Sequence, residues 1–172
     1  PVAPPGTPPG QVGGVVSAFG DSVLLGAAPA LRTVMPGLSL HATVGIQAAV
    51  VFRQVRAAGA GLGPIVLIHT GNNGVVSRSD LDRLLTQLAG EQLVVVVNDH
   101  LPRSWQGPNN RTFAAVVPGH ANAVLVDWYG AANGHPEWFT PDRVHLRPAG
   151  ARAYATLIAG QIAARLAAAT NG

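Results

Sequence analysis

The 172-residue chain contains no cysteine and no lysine. Without cysteine there is no disulfide framework and no thiolate nucleophile or thiolate metal ligand, which excludes disulfide-stapled modules and cysteine enzymes. Charge is scarce too: charged residues make up only 11%. The pI near 10.6 comes from 11 arginines against 8 acidic residues, a formal net charge of only +3. The arginines stand singly, with no block or stripe, and this argues against a nucleic-acid partner. No apolar run approaches the roughly 18 residues that span a bilayer, and no basic start with an apolar h-region marks a signal peptide.

Hydrophobic residues are plentiful, at 48%, and suffice for one globular domain with a sizeable core. The opening PVAPPGTPPGQVGG is too rich in Pro and Gly to pack. It reads as a semi-extended linker over residues 1–14, leaving 15–172 as the domain. A linker there is expected of a module that something else precedes.

Short apolar runs then alternate with helical patterns. VVSAF (15–19), LSLHATV (38–44), PIVLIHT (64–70), QLVVVVN (92–98) and AVLVD (123–127) read as strands. Between them, GIQAAVVFRQVRAAG (45–59) reads as a helix with Ile46, Val50, Val51 and Val55 on one face and Gly59 as its stop. Leu81, Leu84, Leu85 and Leu88 form the stripe of the next helix, for which Ser79 and Asp82 have capping-box spacing. A short helix is expected from Phe113 to Val117. A last helix starts near Pro148, with Tyr154, Ile158 and Ile162 on one face. Pro29 makes any helix after the first strand short or broken. Strands alternating with helices predict a parallel sheet covered on both faces, with ligands bound beyond the carboxyl ends of the strands.

The residues at those ends carry the chemistry. In FGDSVLLG, Ser22 follows a strand and a Gly-Asp turn and opens a helix, where backbone N–H groups favour developing negative charge. That suits a nucleophile, although alone Ser22 or Asp21 reads equally well as a helix N-cap. In TVGIQ, the N–H of Gly45 can approach a ligand closely. In HTGNNG, Asn72 or Asn73 can donate into a pocket, although alone this is an Asn-Gly turn. In DRVH, one turn can bring Asp142 and His145 to one side. There a carboxylate can hold Nδ1–H and leave the other ring nitrogen as a base; alone, such a pair on the surface is worth little. Together the four stretches make a serine site. It is not the Gly-x-Ser-x-Gly elbow, because Leu24 stands where that motif needs glycine.

Further candidates surround it. His69, Asn72 and Trp138 are possible substrate contacts, His69 being also a plain packed histidine and Trp138 a possible cover for the sheet edge. Asp21 braces the nucleophile turn. Asp99, His100 and Asp127 end strands but have no matching nucleophile. Arg103, Trp105, Asn109 and Asn110 either hold a loop or touch a sugar. The spacing of His135, Glu137 and His145 has no metal-site logic, and no cofactor is called for.

At GDS, VGIQ, GNN and DRVH the chain resembles the SGNH (GDSL-type) hydrolases. The resemblance implies a three-layer α/β/α sandwich with a five-stranded, parallel, doubly wound (flavodoxin-like) sheet. It implies Ser22 as nucleophile, Asp142 and His145 completing a triad, and an oxyanion hole of the Ser22 and Gly45 N–H groups with Asn73, which the Gly-x-Asn block selects over Asn72. Gly74 stands where that block often has Asp. HTGNNG, PRSWQGPNN, DWYGAANGHPEWF and DRVHLRPAGARAYA resemble more narrowly the SGNH domain fused to bacterial membrane acyltransferase-3 proteins. That branch implies acyl transfer from an acyl donor to the hydroxyl of a cell-envelope glycan, through an acyl-enzyme and without metal or cofactor. It also implies an extracytoplasmic place, tethered by the linker to a membrane acyltransferase domain. A stand-alone carbohydrate or lipid esterase and a non-catalytic glycan-binding module are the alternatives.

Overall fold

The computed structural model of the protein describes residues 11–170. The linker expected over 1–14 lies mostly outside the described residues. Within them, Val12 is buried in the core and donates its N–H to the Val34 carbonyl at 2.8 Å, so the packed chain begins before residue 15.

Five parallel strands form one sheet: β1 (Val16–Gly20), β2 (Leu38–Ala42), β3 (Ile65–His69), β4 (Leu93–Val97) and β5 (Ala123–Val126), in the order β2-β1-β3-β4-β5. The register aligns Gly20 with Ala42 and His69, His69 with Val97, and Val97 with Val126. All five carboxyl ends therefore finish level, and the segment after each strand emerges along one edge. The chain moves from β1 to β2 on one side and from β3 to β5 on the other, so the direction of winding switches between β1 and β3. In doubly wound sheets that is where ligands bind.

Side-chain alternation sorts each central strand between two cores. Val16, Ala18, Ile65, Leu67, Val95 and Val97 face α1 (Ser22–Gly26), α2 (Ala28–Val34), α6 (Trp128–Ala132) and α7 (Pro148–Thr170). Phe19, Val66, Ile68, Val94 and Val96 face α3 (Ala48–Ala58), α4 (Arg78–Gln87) and α5 (Gln106–Val116). Both faces of β1, β3 and β4 are thus covered, which is why Ile65–Ile68 and Leu93–Val97 read as unbroken apolar runs.

Two local expectations need correction. The cap of α4 is Ser77, whose hydroxyl accepts the Asp80 N–H at 3.3 Å; Ser79 and Asp82 lie inside the helix. Both pairs have the same spacing, and the cap falls where the preceding segment leaves the loop. α5 begins at Gln106 rather than Phe113. Gly107 and Pro108 occupy its first turn, where a missing N–H has no intrahelical partner to lose. Pro29 likewise stands in the first turn of α2.

Candidate active site

Ser22, the first residue of α1, is carried directly by the end of β1. Asp21 caps that helix, accepting the Val23 N–H at 3.1 Å. Across the sheet edge, a compact turn precedes α7. Phe139 pairs with Leu146, and Thr140 donates its N–H to the His145 carbonyl at 2.8 Å. Arg143 takes the left-handed conformation, φ 61°, the only non-glycine to do so among the described residues. That reversal lets the Asp142 carboxylate look back at its own loop. Oδ1 accepts the Thr140 hydroxyl at 2.6 Å and the Val144 and His145 N–H groups at 2.9 and 3.0 Å.

The second carboxylate oxygen faces the imidazole. His145 Nδ1 lies 2.6 Å from Asp142 Oδ2, and His145 Nε2 lies 2.9 Å from Ser22 Oγ. An ionised carboxylate only accepts, so Nδ1 carries the ring proton and Nε2 is left to accept from the serine hydroxyl. Burial works against ionisation of Asp142. The hydrogen bonds from the His145 ring, the Thr140 hydroxyl and the two N–H groups outweigh it and hold the carboxyl well below the usual range. The pair is open: the His145 and Asp142 side chains are 47% and 46% exposed. A separate groove of about 370 Å³ between α2 and α7 is lined by Gly26, Pro29, Ala30, Leu146 and Ala151, and no triad residue lines it.

The other two blocks meet the first at the same edge. The Thr43 N–H donates to the Gly20 carbonyl at 3.1 Å, which sets the Thr43–Ile46 turn beside the nucleophile turn. Gly45 there has φ 74°, a conformation that glycine adopts without strain. From the end of β3, Asn73 Nδ2 donates to the Ile46 carbonyl at 3.1 Å, joining that loop to the Gly45 turn.

Two of the candidate substrate contacts are engaged elsewhere. Asn72 is buried, and its amide nitrogen lies 3.1 and 2.9 Å from the two Asp21 carboxylate oxygens. His69 is 1% exposed, and its Nδ1 lies 2.7 Å from the Tyr154 hydroxyl. The Asn72 amide nitrogen is thus held by Asp21, and the His69 ring is enclosed beside Tyr154. Trp138 is half-buried, stacked between His135 at 3.9 Å and Trp128 at 5.8 Å. Asp127 caps α6 and accepts the Asn98 amide, while His100 stacks on Phe139. Among the described residues, no group of three His, Cys, Asp or Glu is arranged to hold a metal.

Sequence reasoning left open what PRSWQGPNN does, and its polar residues hold the loop bearing Asn73. Asn109 Nδ2 lies 3.2 and 2.9 Å from the Gly71 and Gly74 carbonyls, and its Oδ1 accepts the Val76 N–H at 2.9 Å. Trp105 Nε1 donates to the Gly71 carbonyl at 3.0 Å. Asn110 exchanges two hydrogen bonds with the Asp99 backbone. No local pattern identifies these roles. The nearest signal is the density of amide side chains next to a Gly-Pro.

The chain is similar to known proteins in sequence and in fold. No protein-family profile matches the chain. It is 35% identical over 145 residues to YrhL of Bacillus subtilis, a match covering 83% of this chain and 23% of that protein. It is 31% identical over 147 residues to the peptidoglycan O-acetyltransferase OatA of Listeria monocytogenes, covering 82% and 23%. The chain thus spans about a quarter of the length of the curated relatives it matches. Its fold matches the C-terminal catalytic domain of Streptococcus pneumoniae OatA with a TM-score of 0.75 at 24% identity, over 94% of this chain and 97% of that one. A lipolytic G-D-S-L family protein from Veillonella parvula matches with a TM-score of 0.67 at 14% identity, over 83% and 94%. The class is a three-layer α/β protein with a doubly wound parallel sheet and its polar site at the strand carboxyl ends. Within that class, the chain has the fold of the SGNH (GDSL-type) hydrolases.

Proposed function

We propose that this chain is the acyl-transfer module of a cell-envelope glycan O-acyltransferase, with O-acetylation of peptidoglycan the reading its relatives support. The observation that carries it is the continuous hydrogen-bonded path from Ser22 Oγ through the His145 ring to Asp142, 2.9 and 2.6 Å long. His145 Nε2 takes the Ser22 proton as Oγ attacks the carbonyl carbon of the donor ester. Asp142 keeps the ring oriented and stabilises the imidazolium. The oxyanion is received by the Ser22 and Gly45 N–H groups and the Asn73 side-chain amide. Collapse expels the donor alcohol with the proton from His145 and leaves an acyl-serine. A sugar hydroxyl then gives its proton to His145 as its oxygen attacks the acyl carbon, and the proton returns to Ser22 Oγ as the ester product leaves.

The half-exposed triad favours a bulky polymeric acceptor, and the same openness admits water, so hydrolysis competes. No described helix is long and apolar enough to cross a membrane. An extracytoplasmic place, tethered to a membrane acyltransferase domain, is supported by the family resemblance and by the three-quarters of the relatives' length that lies outside the match.

Mass spectrometry of a glycan acceptor incubated with an acetyl donor and the protein tests this reading. Acetylated glycan from the wild type, absent with Ser22→Ala, supports it. Equal product from Ser22→Ala sinks the serine mechanism. Acetate alone, whatever glycan is offered, leaves the esterase. Glycan binding without fluorophosphonate labelling of Ser22 leaves the non-catalytic module.

A further inference from the structure

Behind Ser22 lies a buried polar cluster that the transfer steps leave unused. Asp21, His69 and Asp99 are each at most 1% exposed, and Asn72, Asn109 and Tyr154 enclose them. The Asp21 carboxylate meets only donors, the Val23 N–H and the Asn72 amide, which is what an ionised carboxylate needs. Asp99 is different. Its Oδ2 accepts from Asn109 at 3.1 Å, but its Oδ1, closed to solvent, has no hydrogen-bond partner. The polar atom opposite Oδ1 is His69 Nε2, at 3.7 Å. On its other side the His69 ring meets the Tyr154 hydroxyl at 2.7 Å. The Asn72 amide nitrogen also lies 3.4 Å from His69 Nε2, but its two protons have the nearer Asp21 oxygens, at 3.1 and 2.9 Å.

We propose that Asp99 is a neutral carboxylic acid at physiological pH, its proton on Oδ1 directed at His69 Nε2, and that this neutral Asp99–His69–Tyr154 chain positions the nucleophile turn and the Asn73 loop. Protonation turns an orphaned acceptor into a donor facing a lone pair. His69 then keeps its own proton on Nδ1 and gives it to the Tyr154 oxygen. As a carboxylate, Asp99 would set a second negative charge beside Asp21 in a space closed to water, with one oxygen bare. The groups facing it are Asp21 from the end of β1, His69 from β3, Tyr154 from α7 and the neutral Asn109 from α5. Among the described residues, no arginine pairs with either carboxyl. Electrostatics agree: burial pushes the Asp99 carboxyl well up, against the Asn109 hydrogen bond, and the Asp21 charge adds to the rise. Burial pushes His69 down, with Asp21 opposing.

The mechanical link is short. A Cβ on Gly71 would collide with the Asp99 carboxyl, so that carboxyl lies directly against the start of the loop carrying Asn73. Asn72, on the same loop, grips Asp21, the residue before the nucleophile. Charging Asp99 therefore strains both the turn and the loop.

The first test is the side-chain 13Cγ spectrum of the wild-type protein, whose Asp residues are assigned through the backbone and titrated. Asp99 should keep the carboxylic-acid shift at pH 7; a carboxylate shift there overturns the proposal. This readout needs neither a variant nor activity. The second test is Asp99→Asn, which offers an NH2 to His69 and a carbonyl to Asn109. A carboxyl raised in the fold contributes stability that is full below its unfolded value, about 4, and is lost as pH rises through the folded value. The wild-type urea midpoint should thus fall on alkalinisation relative to Asp99→Asn, and parallel midpoints overturn the proposal. The positioning role rests on the Ser22 reading. The ester-hydrolysis rate should fall at least about threefold in the wild type, and not in Asp99→Asn, between the pH values on either side of the Asp99 13Cγ transition. Equal changes in the two proteins across that transition overturn positioning, whereas a protein that never hydrolyses ester, with a protonated Asp99 in the spectrum, overturns only the acyl-transfer reading.

Discussion

Replacing Asp142 with asparagine should cost this site its base while leaving its shape nearly intact. The amide can sit in two ways. With its oxygen in the place of Oδ1, it keeps the Thr140 hydroxyl and the Val144 and His145 N–H groups, at 2.6, 2.9 and 3.0 Å. Flipped, it keeps only the His145 Nδ1 contact, at 2.6 Å, and turns its NH2 against three donors. At about 1 kcal/mol for each hydrogen bond, the first orientation wins by roughly 2 kcal/mol. It sets an NH2 against His145 Nδ1, so the ring proton moves to Nε2 and points at Ser22. The wrong tautomer should lower kcat by about 10⁴, or about 5.4 kcal/mol of transition-state stabilisation, with KM little changed. Stability should change by less than about 1 kcal/mol, because the half-exposed pair is screened by solvent. Stopped-flow acylation with a chromogenic acetate ester measures the loss before deacylation intervenes. An Asp142→Asn protein that acylates within about tenfold of the wild type refutes the orienting role.

Other perturbations separate catalytic from architectural parts. Asn73→Ala should reduce single-turnover kcat by about 10²–10³ if its amide receives the oxyanion; an undiminished rate would leave Asn73 only its tie to Ile46. Asn109→Ala strips the Val76 N–H and the Gly71 and Gly74 carbonyls of their partner, and should destabilise by about 3 kcal/mol in urea unfolding; a loss below about 1 kcal/mol would deny it the loop. Turnover should fall on acidification, as protonated His145 cannot act as base, and a rate flat from about pH 5 to 8 would exclude it. Asp142 adds no second step there. Its carboxyl is depressed in the fold, so its contribution to stability is present above the unfolded value, about 3.9, and is lost only as pH falls below that.

Much of this molecule is written in local pattern. Unbroken runs such as VVVV of β4 announce strands buried on both faces, and the leucine stripe of α4 announces its buried side, because periodicity depends only on near neighbours. Ser22, Gly45, Asn73, Asp142 and His145 were legible as strand-end residues in recognisable blocks. The alternation of strands and helices also implied the edge they share. Local pattern misjudged what depends on distant chain. Ser77 and Ser79 both stand three residues before an aspartate, and neighbours alone do not choose between them. QGPNN stands before the helix expected at Phe113, yet it opens that helix, with Asn109 gripping a loop more than 30 residues away.

The sequence by itself determined the elements, the cores and the kinds of side chain available for chemistry. Only the tertiary structure decided which of them meet. It brought Ser22 and His145, 123 positions apart in the sequence, to within 2.9 Å. It sent Asn72 inward to Asp21 and Asn73 across to Ile46, and it enclosed Asp99 with His69 behind the nucleophile. Strand order and register set those distances, and both are properties of pairing between remote segments that no local propensity encodes.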